Sequence, residues 1–243
     1  FVAVGSNGAI YTSADGINWE SQNSTTTQEL FETAYGNSTF VTVGCNGTVL
    51  TSPNAISWAQ SSTPSYCDLY SVTYGNGSFV TTGQYDGGSS TNIFTSADGI
   101  TWAAQTTPIN DELTAVTYGG TKYVAVGLNG TIVYATESNN WVSAVDSGNI
   151  AEQLAAVIYA DNKYIALART GGIILNSNDA DSSSSVSTSN VNLMYGLAYG
   201  VNQFYAVGGN GTILTSPDGI AWDTVPPITS EALYAIAYRS SND

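Results

Sequence analysis

"ILTSPDGIAW" (213–222) reads as a strand, a tight turn and a tryptophan, and near copies stand at 10–19 ("IYTSADGINW") and 93–102 ("IFTSADGITW"). Asp-Gly after a β-branched run is turn chemistry, because Gly takes positive φ and Asp accepts hydrogen bonds from nearby backbone N–H groups. A string that recurs in this way signals a repeat protein. From Phe1 the chain divides into units 1–39, 40–78, 79–122, 123–163, 164–203 and 204–243. They open "FVAVGSNG", "FVTVGCNG", "FVTTGQYDGG", "YVAVGLNG", "YIALARTGG" and "FYAVGGNG".

Each unit predicts four short strands. The first is an aromatic and aliphatic run ending in Gly. Asn-Gly follows it at Asn7-Gly8, Asn46-Gly47, Asn129-Gly130 and Asn210-Gly211, the strongest short hairpin signal. A second strand such as "TILTS" leads to the Asp-Gly corner, and a third carries Trp19, Trp58, Trp102, Trp141 or Trp222. The fourth has one form throughout: "LFETAYG", "LYSVTYG", "LTAVTYG", "LAAVIYA", "MYGLAYG" and "LYAIAYR". No segment has a 3.6-residue apolar period. Four antiparallel strands in about 40 residues make one propeller blade. The expected fold is all-β, a single six-bladed β-propeller over 1–243. The chain starts in mid-unit, so residues 233–239 are expected to pair with the sheet begun by 1–20 and close the ring, since unpaired edges are avoided. The buried Trp rings, about 200 Å² each, contribute at most about 5 kcal/mol apiece.

The corner resembles the Asp-box, the bacterial neuraminidase repeat written S-x-D-x-G-x-x-W. Here it stands as "SADGINW", "SADGITW" and "SPDGIAW", one residue shorter between Asp and Gly, with weaker copies "SPNAISW" (52–58) and "ATESNNW" (135–141). In the fifth unit "SNDADSS" (177–183) has lost the Trp. The motif is structural in that family, which spans sialidases, other glycoside hydrolases, photosystem assembly factors and non-catalytic secreted propellers. The resemblance therefore implies fold rather than activity. A sialidase needs an arginine triad, and the chain has only Arg169 and Arg239. The WD repeat needs a His, and there is none.

Composition narrows the function classes. Net charge is −15, with only Lys122, Lys163, Arg169 and Arg239 as cations, too few to neutralise phosphates or an anionic membrane. No apolar run is long enough for a membrane helix. The absence of His removes Ser-His-Asp and Cys-His catalysis and the usual catalytic zinc site. A carboxylate-pair glycosidase needs only two acids, so it stays open. Few cations, no His and a Ser/Thr/Asn-rich surface fit an extracellular or cell-surface setting. The abrupt strand-like start reads as a mature or excised fragment.

Several residues invite a functional reading. Just before the fourth-type strand stand Glu29, Asp68, Glu112, Glu152 and Glu231. Placed around a channel mouth, these acids would attract a cation, either calcium or a Lys- or amine-bearing partner; the alternative is that they point outward into water. The insertion "QYDGGSSTN" (84–92) brings Tyr85 and Asp86 to a lengthened hairpin that either touches a ligand or is simple loop drift. "NSNDADSSSS" (176–185) lacks the acid spacing of an EF-hand and reads as a degenerate turn. Glu32 stands on the small face of its strand, either lining the channel or as a strained exception. The five Trp fit a core better than a sugar platform, and the six Asn-x-Ser/Thr sequons mostly coincide with turns. Cys45 and Cys67 lie in connections at one end of the same sheet. They are expected to form a disulfide contributing about 3 kcal/mol, against two buried thiols.

The resulting expectation is a non-enzymatic recognition module without catalytic residues or cofactor, calcium aside. It would bind a protein or a glycan and act as a monomeric domain of a larger surface protein. The alternatives are a carbohydrate-active enzyme and a structural part of a surface assembly.

Overall fold

The computed structural model describes residues 1–62, 66–84, 92–145, 150–187 and 193–238. They form six antiparallel sheets, and strand order follows the chain in each. The first sheet holds three strands, β1 (Val2–Val4), β2 (Ile10–Thr12) and β3 (Glu20–Gln22). The second runs β4 (Leu30–Gly36), β5 (Thr39–Gly44), β6 (Thr48–Ser52) and β7 (Ala59–Ser62). The third is β8 (Leu69–Gly75), β9 (Ser78–Gly83), β10 (Ile93–Ser96) and β11 (Ala103–Gln105). The fourth is β12 (Leu113–Gly119), β13 (Lys122–Gly127), β14 (Ile132–Ala135) and β15 (Val142–Ser143). The fifth is β16 (Leu154–Ala160), β17 (Lys163–Ala168), β18 (Ile173–Ser177) and β19 (Ser184–Ser187). The sixth is β20 (Met194–Gly200), β21 (Gln203–Gly208), β22 (Ile213–Ser216) and β23 (Asp223–Val225). Each four-stranded sheet thus opens with the "L-x-x-x-x-Y" strand of one repeat and continues with the next. The chain divides into two compact units, Phe1–Tyr123 with Ala135–Val142, and Val124–Tyr134 with Ser143–Asp243.

The turns obey the sequence. Asn7 and Gly8 have φ of 57° and 69°, and Asn46 and Gly47 54° and 66°, so both central positions are left-handed. At the Asp-Gly corner, the Asp98 carboxylate accepts from Ile100 N and Thr101 N, both at 2.8 Å, while Gly99 N donates to Ser96 Oγ. Asp15 and Asp218 repeat this pattern. In the second repeat Asn54 substitutes for the acid through Ile56 N and Ser57 N. The fifth repeat keeps the turn despite losing its Trp, with Asp181 N and Ser182 N donating to Asp179. The segment 176–185 is therefore a corner of the ordinary kind. Each Trp stands one residue before its strand rather than inside it. Its Nε1 donates to the carbonyl three residues back, as Trp102 does to Gly99 at 2.9 Å.

The first strand of each sheet carries the packing between neighbours. In the second, third, fifth and sixth sheets a β-bulge shifts its register after the first residue, for example between Leu30 and Glu32 and between Leu69 and Ser71. The bulge turns Leu69 and Val72 both inward. The Tyr near its end stacks on the aromatic of the next strand, as Tyr74 does on Phe79 with centroids 4.7 Å apart. Gly36 lies flat against the Tyr74 ring of the following sheet, where a Cβ would sit 2.0 Å from it. Gly75 meets Tyr118 in the same way, and Gly200 meets Tyr238. Residues 232–238 therefore lie where the first strand of a further sheet belongs, although they form no strand. The structure does not show the expected pairing of 233–239 with β1, and among the described residues the first sheet is three-stranded. Residue 239 lies outside the described residues.

Candidate functional site

Glu29, Asp68, Glu112 and Glu152 lie on the loops that enter β4, β8, β12 and β16, Glu231 precedes residues 232–238, and residues 190–193, just before β20, include no such acid. In the first unit, Glu29 is exposed, while Asp68 and Glu112 are half-buried. Glu29 Oε1 accepts from Ser6 Oγ at 3.4 Å, and Asp68 Oδ1 accepts from Asn46 N at 2.9 Å. Backbone bonds pin these loops to the connection that follows the second strand of each sheet. Cys45 N donates to Glu29 O, Gln84 N to Asp68 O, and Gly47 N to Cys67 O. The second unit repeats the scheme, with Gly130 N donating to Glu152 O and Gly211 N to Glu231 O. The repeat thus brings each acid to an equivalent corner. Among the described residues no three His, Cys, Asp or Glu side chains gather as metal ligands. Tyr85 and Asp86 lie outside the described residues.

Sequence reasoning missed the aromatics at this edge. The residue that the bulge pushes out is Phe31 in β4 and Tyr70 in β8, and their centroids are 5.9 Å apart. In the second unit the same position holds Tyr195 in β20 and then Tyr234, 4.9 Å apart, and the Arg169 guanidinium lies 5.3 Å from the Tyr195 centroid. Phe31 and Tyr234 are exposed. The second position of "LFETAYG" and "LYSVTYG" was readable as large, but only the bulge turns it toward the loop end. Burial, then Glu112 and Asp68, push the Tyr70 phenol up to about 12. Aromatic faces and carboxylates therefore share one edge, a surface that suits a cation carried on an apolar stem.

Cys45 and Cys67 sit on loops that touch, and both are free cysteines in the structure. Cys45 Sγ faces Glu29 Oε2 at 4.0 Å. Burial, then Asp68 and Glu29, push the Cys45 thiol up, which suppresses the thiolate that disulfide exchange needs.

Glu32 reaches across to the next sheet, where its carboxylate accepts from Val72 N at 2.9 Å and from Ser71. Ser71 Oγ accepts from Val116 N at 3.0 Å in the same manner. Glu32 keeps a solvent-exposed flank, but the protein packed around its carboxyl raises its pKa above the ordinary range. The open flank limits how far, because water still reaches one side. It is a bridge between adjacent first strands.

No family model and no curated relative matches the chain. Solved structures do. YCF48 bound to D1 peptide is 19% identical, covering 92% of this chain and 77% of that one, with a TM-score of 0.69. YCF48 from Cyanidioschyzon merolae is 16% identical over 96% and 83%, with a TM-score of 0.70. Virginiamycin B lyase from Staphylococcus aureus is 13% identical over 93% and 83%, with a TM-score of 0.74. At these identities the likeness is one of fold, and the chain is similar to β-propellers.

Proposed function

We propose that the chain is a non-enzymatic recognition module that binds an extended protein segment rich in Lys or Arg. The surface is the edge carrying Glu29, Asp68, Glu112, Phe31 and Tyr70, with Glu152, Glu231 and Tyr234 as its counterparts. The observation that carries this reading is the placement of carboxylates and aromatic faces on one edge of successive first strands. Acids attract the cation over distance, and the aromatic faces take its methylene stem. The net charge of −15 favours the same partner. Support also comes from the neighbouring fold, since YCF48 was solved bound to a D1 peptide. The aromatic faces beside the acids favour a cationic side chain with an apolar stem over calcium. The corner motif, Asp-box-like in its hydrogen bonds, acts in this reading as scaffold.

The reading includes a six-bladed ring over the whole chain, in which 233–239 joins β1–β3 as the missing first strand. Tyr238 already meets Gly200 as Tyr74 meets Gly36, which supports that assignment. The setting proposed is extracellular or cell-surface.

Binding to an immobilised peptide array tests the function. Peptides with two or more Lys or Arg should be retained, and retention should weaken with salt as screened charge pairs do. The double variant Glu29→Gln with Glu112→Gln should lose most of it. Equal retention of acidic peptides, or an unchanged double variant, overturns the reading. Retention on a glycan array alone transfers the site to carbohydrate.

A further inference from the structure

The two aromatic pairs at the loop edge differ in what stands before them. Arg169 N donates to Gln153 O as Cys45 N donates to Glu29 O, so Arg169 holds the repeat position of Cys45 and, one sheet earlier, of Ser6. In the second unit this position sends a guanidinium to 5.3 Å from the Tyr195 centroid, with Tyr234 as the next ring. In the first unit the counterpart of Tyr195 is Phe31, 40% exposed, with Tyr70 as the next ring. Ser6 stands there in the position of Arg169, and its side chain is too short to cover a ring. The acids change in the opposite sense. The residue entering β4 is Glu29, whose carboxylate accepts from Ser6 Oγ at 3.4 Å, whereas the residue entering β20 is Leu193. At these equivalent positions the second unit pairs a ring with a guanidinium, and the first pairs a ring with a carboxylate.

We propose that Phe31 and Glu29 take up an arginine side chain of the bound protein segment, in the place that Arg169 fills on Tyr195; this rests on the recognition reading above and narrows its cation to a guanidinium. A guanidinium is planar and weakly hydrated, so it lies flat on a ring and keeps its N–H fork for a carboxylate at its edge. An ammonium is a compact, strongly hydrated charge that gains less from a ring face. The first unit supplies both halves of the guanidinium contact, ring and acid. The second unit carries its own cation on Tyr195, which removes that ring as a competing site. The chain itself specifies the ligand class, because its own Arg side chain occupies the equivalent place in a sibling repeat.

Calorimetric titration of the whole chain with a hexapeptide of alternating Gly and Arg, and with its Gly and Lys counterpart, is the test. The Arg peptide should bind about tenfold more tightly than the Lys peptide. Phe31→Leu keeps the apolar bulk without the ring and should erase that preference. Ser6→Arg should seat an internal guanidinium on Phe31 and weaken the Arg peptide by about tenfold, while Ser6→Lys, with the same added charge, should weaken it less. Arg169→Gln with Leu193→Glu should give the second unit the arrangement of the first and add a second binding equivalent. Equal affinity for the two peptides, or a Ser6→Arg variant no weaker than Ser6→Lys, overturns the guanidinium assignment and leaves the recognition reading standing. Binding of neither peptide overturns both.

Discussion

The first sheet and the second are written in the same repeat, yet one is half open and the other closed. In the second, Trp58 is 6% exposed and Leu50 is fully buried. In the first, their counterparts Trp19 and Tyr11 are 42% and 45% exposed. The corner hydrogen bonds do not explain the difference, because Trp19 Nε1 still donates to Gly16 O. What differs is the surroundings. Trp58 shares a core with Ile10 of the sheet before it, and β5 has β4 alongside. Among the described residues no strand pairs with the outer edge of β1. Local turn chemistry builds a corner alone, whereas burying its ring takes a neighbouring sheet.

The widest break of this comparison is removal of the strand proposed to supply what the first sheet lacks. Deleting residues 233–243 should lower the melting temperature by about 10 °C or more, since each kcal/mol lost shifts a domain of this size by roughly 2–4 °C. A truncated chain that melts with the full-length protein removes the closure reading.

Tryptophan truncation sharpens the contrast. Trp58→Ala should cost about 3–5 kcal/mol, as for buried aromatics generally. Ring closure covers Trp19 as well, so Trp19→Ala should then cost a comparable amount in denaturant melts. A cost below about 1 kcal/mol would instead leave that ring in water and break the closure reading from the other side.

Glu32 lies on β4, the kind of strand the first sheet lacks. Its folded pKa is raised by the packing around it, so ionising it opposes folding. That cost is absent below the ordinary glutamate value of 4.5 and grows as pH rises through it. Glu32→Gln keeps an acceptor for Val72 N and should stabilise at pH 7 by about 1 kcal/mol or less, given its exposed flank. The gain should vanish at pH 3.5. The corner carboxylates run the other way. Backbone N–H groups hold Asp98 and Asp179 below the ordinary 3.8, so their contribution is present above that value and is lost as pH falls below it.

An effect of similar size belongs to the hairpin after each first strand. It needs two left-handed residues, supplied as Asn76 and Gly77 after β8 but as Val201 (φ 51°) and Asn202 after β20. A β-branched residue is strained there. Val201→Asn should stabilise by about 1 kcal/mol, and an unchanged melt would mean the turn relaxes at no cost.

Most of the fold was legible because its signals are local. Asn7-Gly8 and Asp98-Gly99 choose their turns by backbone preference, and a repeat makes six readings check one another. The acids at 29, 68, 112, 152 and 231 were legible for the same reason. The aromatic partners Phe31 and Tyr70 were not, because a bulge that only pairing with β5 and β9 creates turns them to the edge.

The sequence by itself determined the all-β class, the repeat length, the turn types and the acidic edge, since each depends on residues within a few positions of one another. Only the tertiary structure decided which Trp rings are buried and where the bulged aromatics face. Those outcomes depend on what the neighbouring sheet presents, and burial free energy is a property of the two surfaces together.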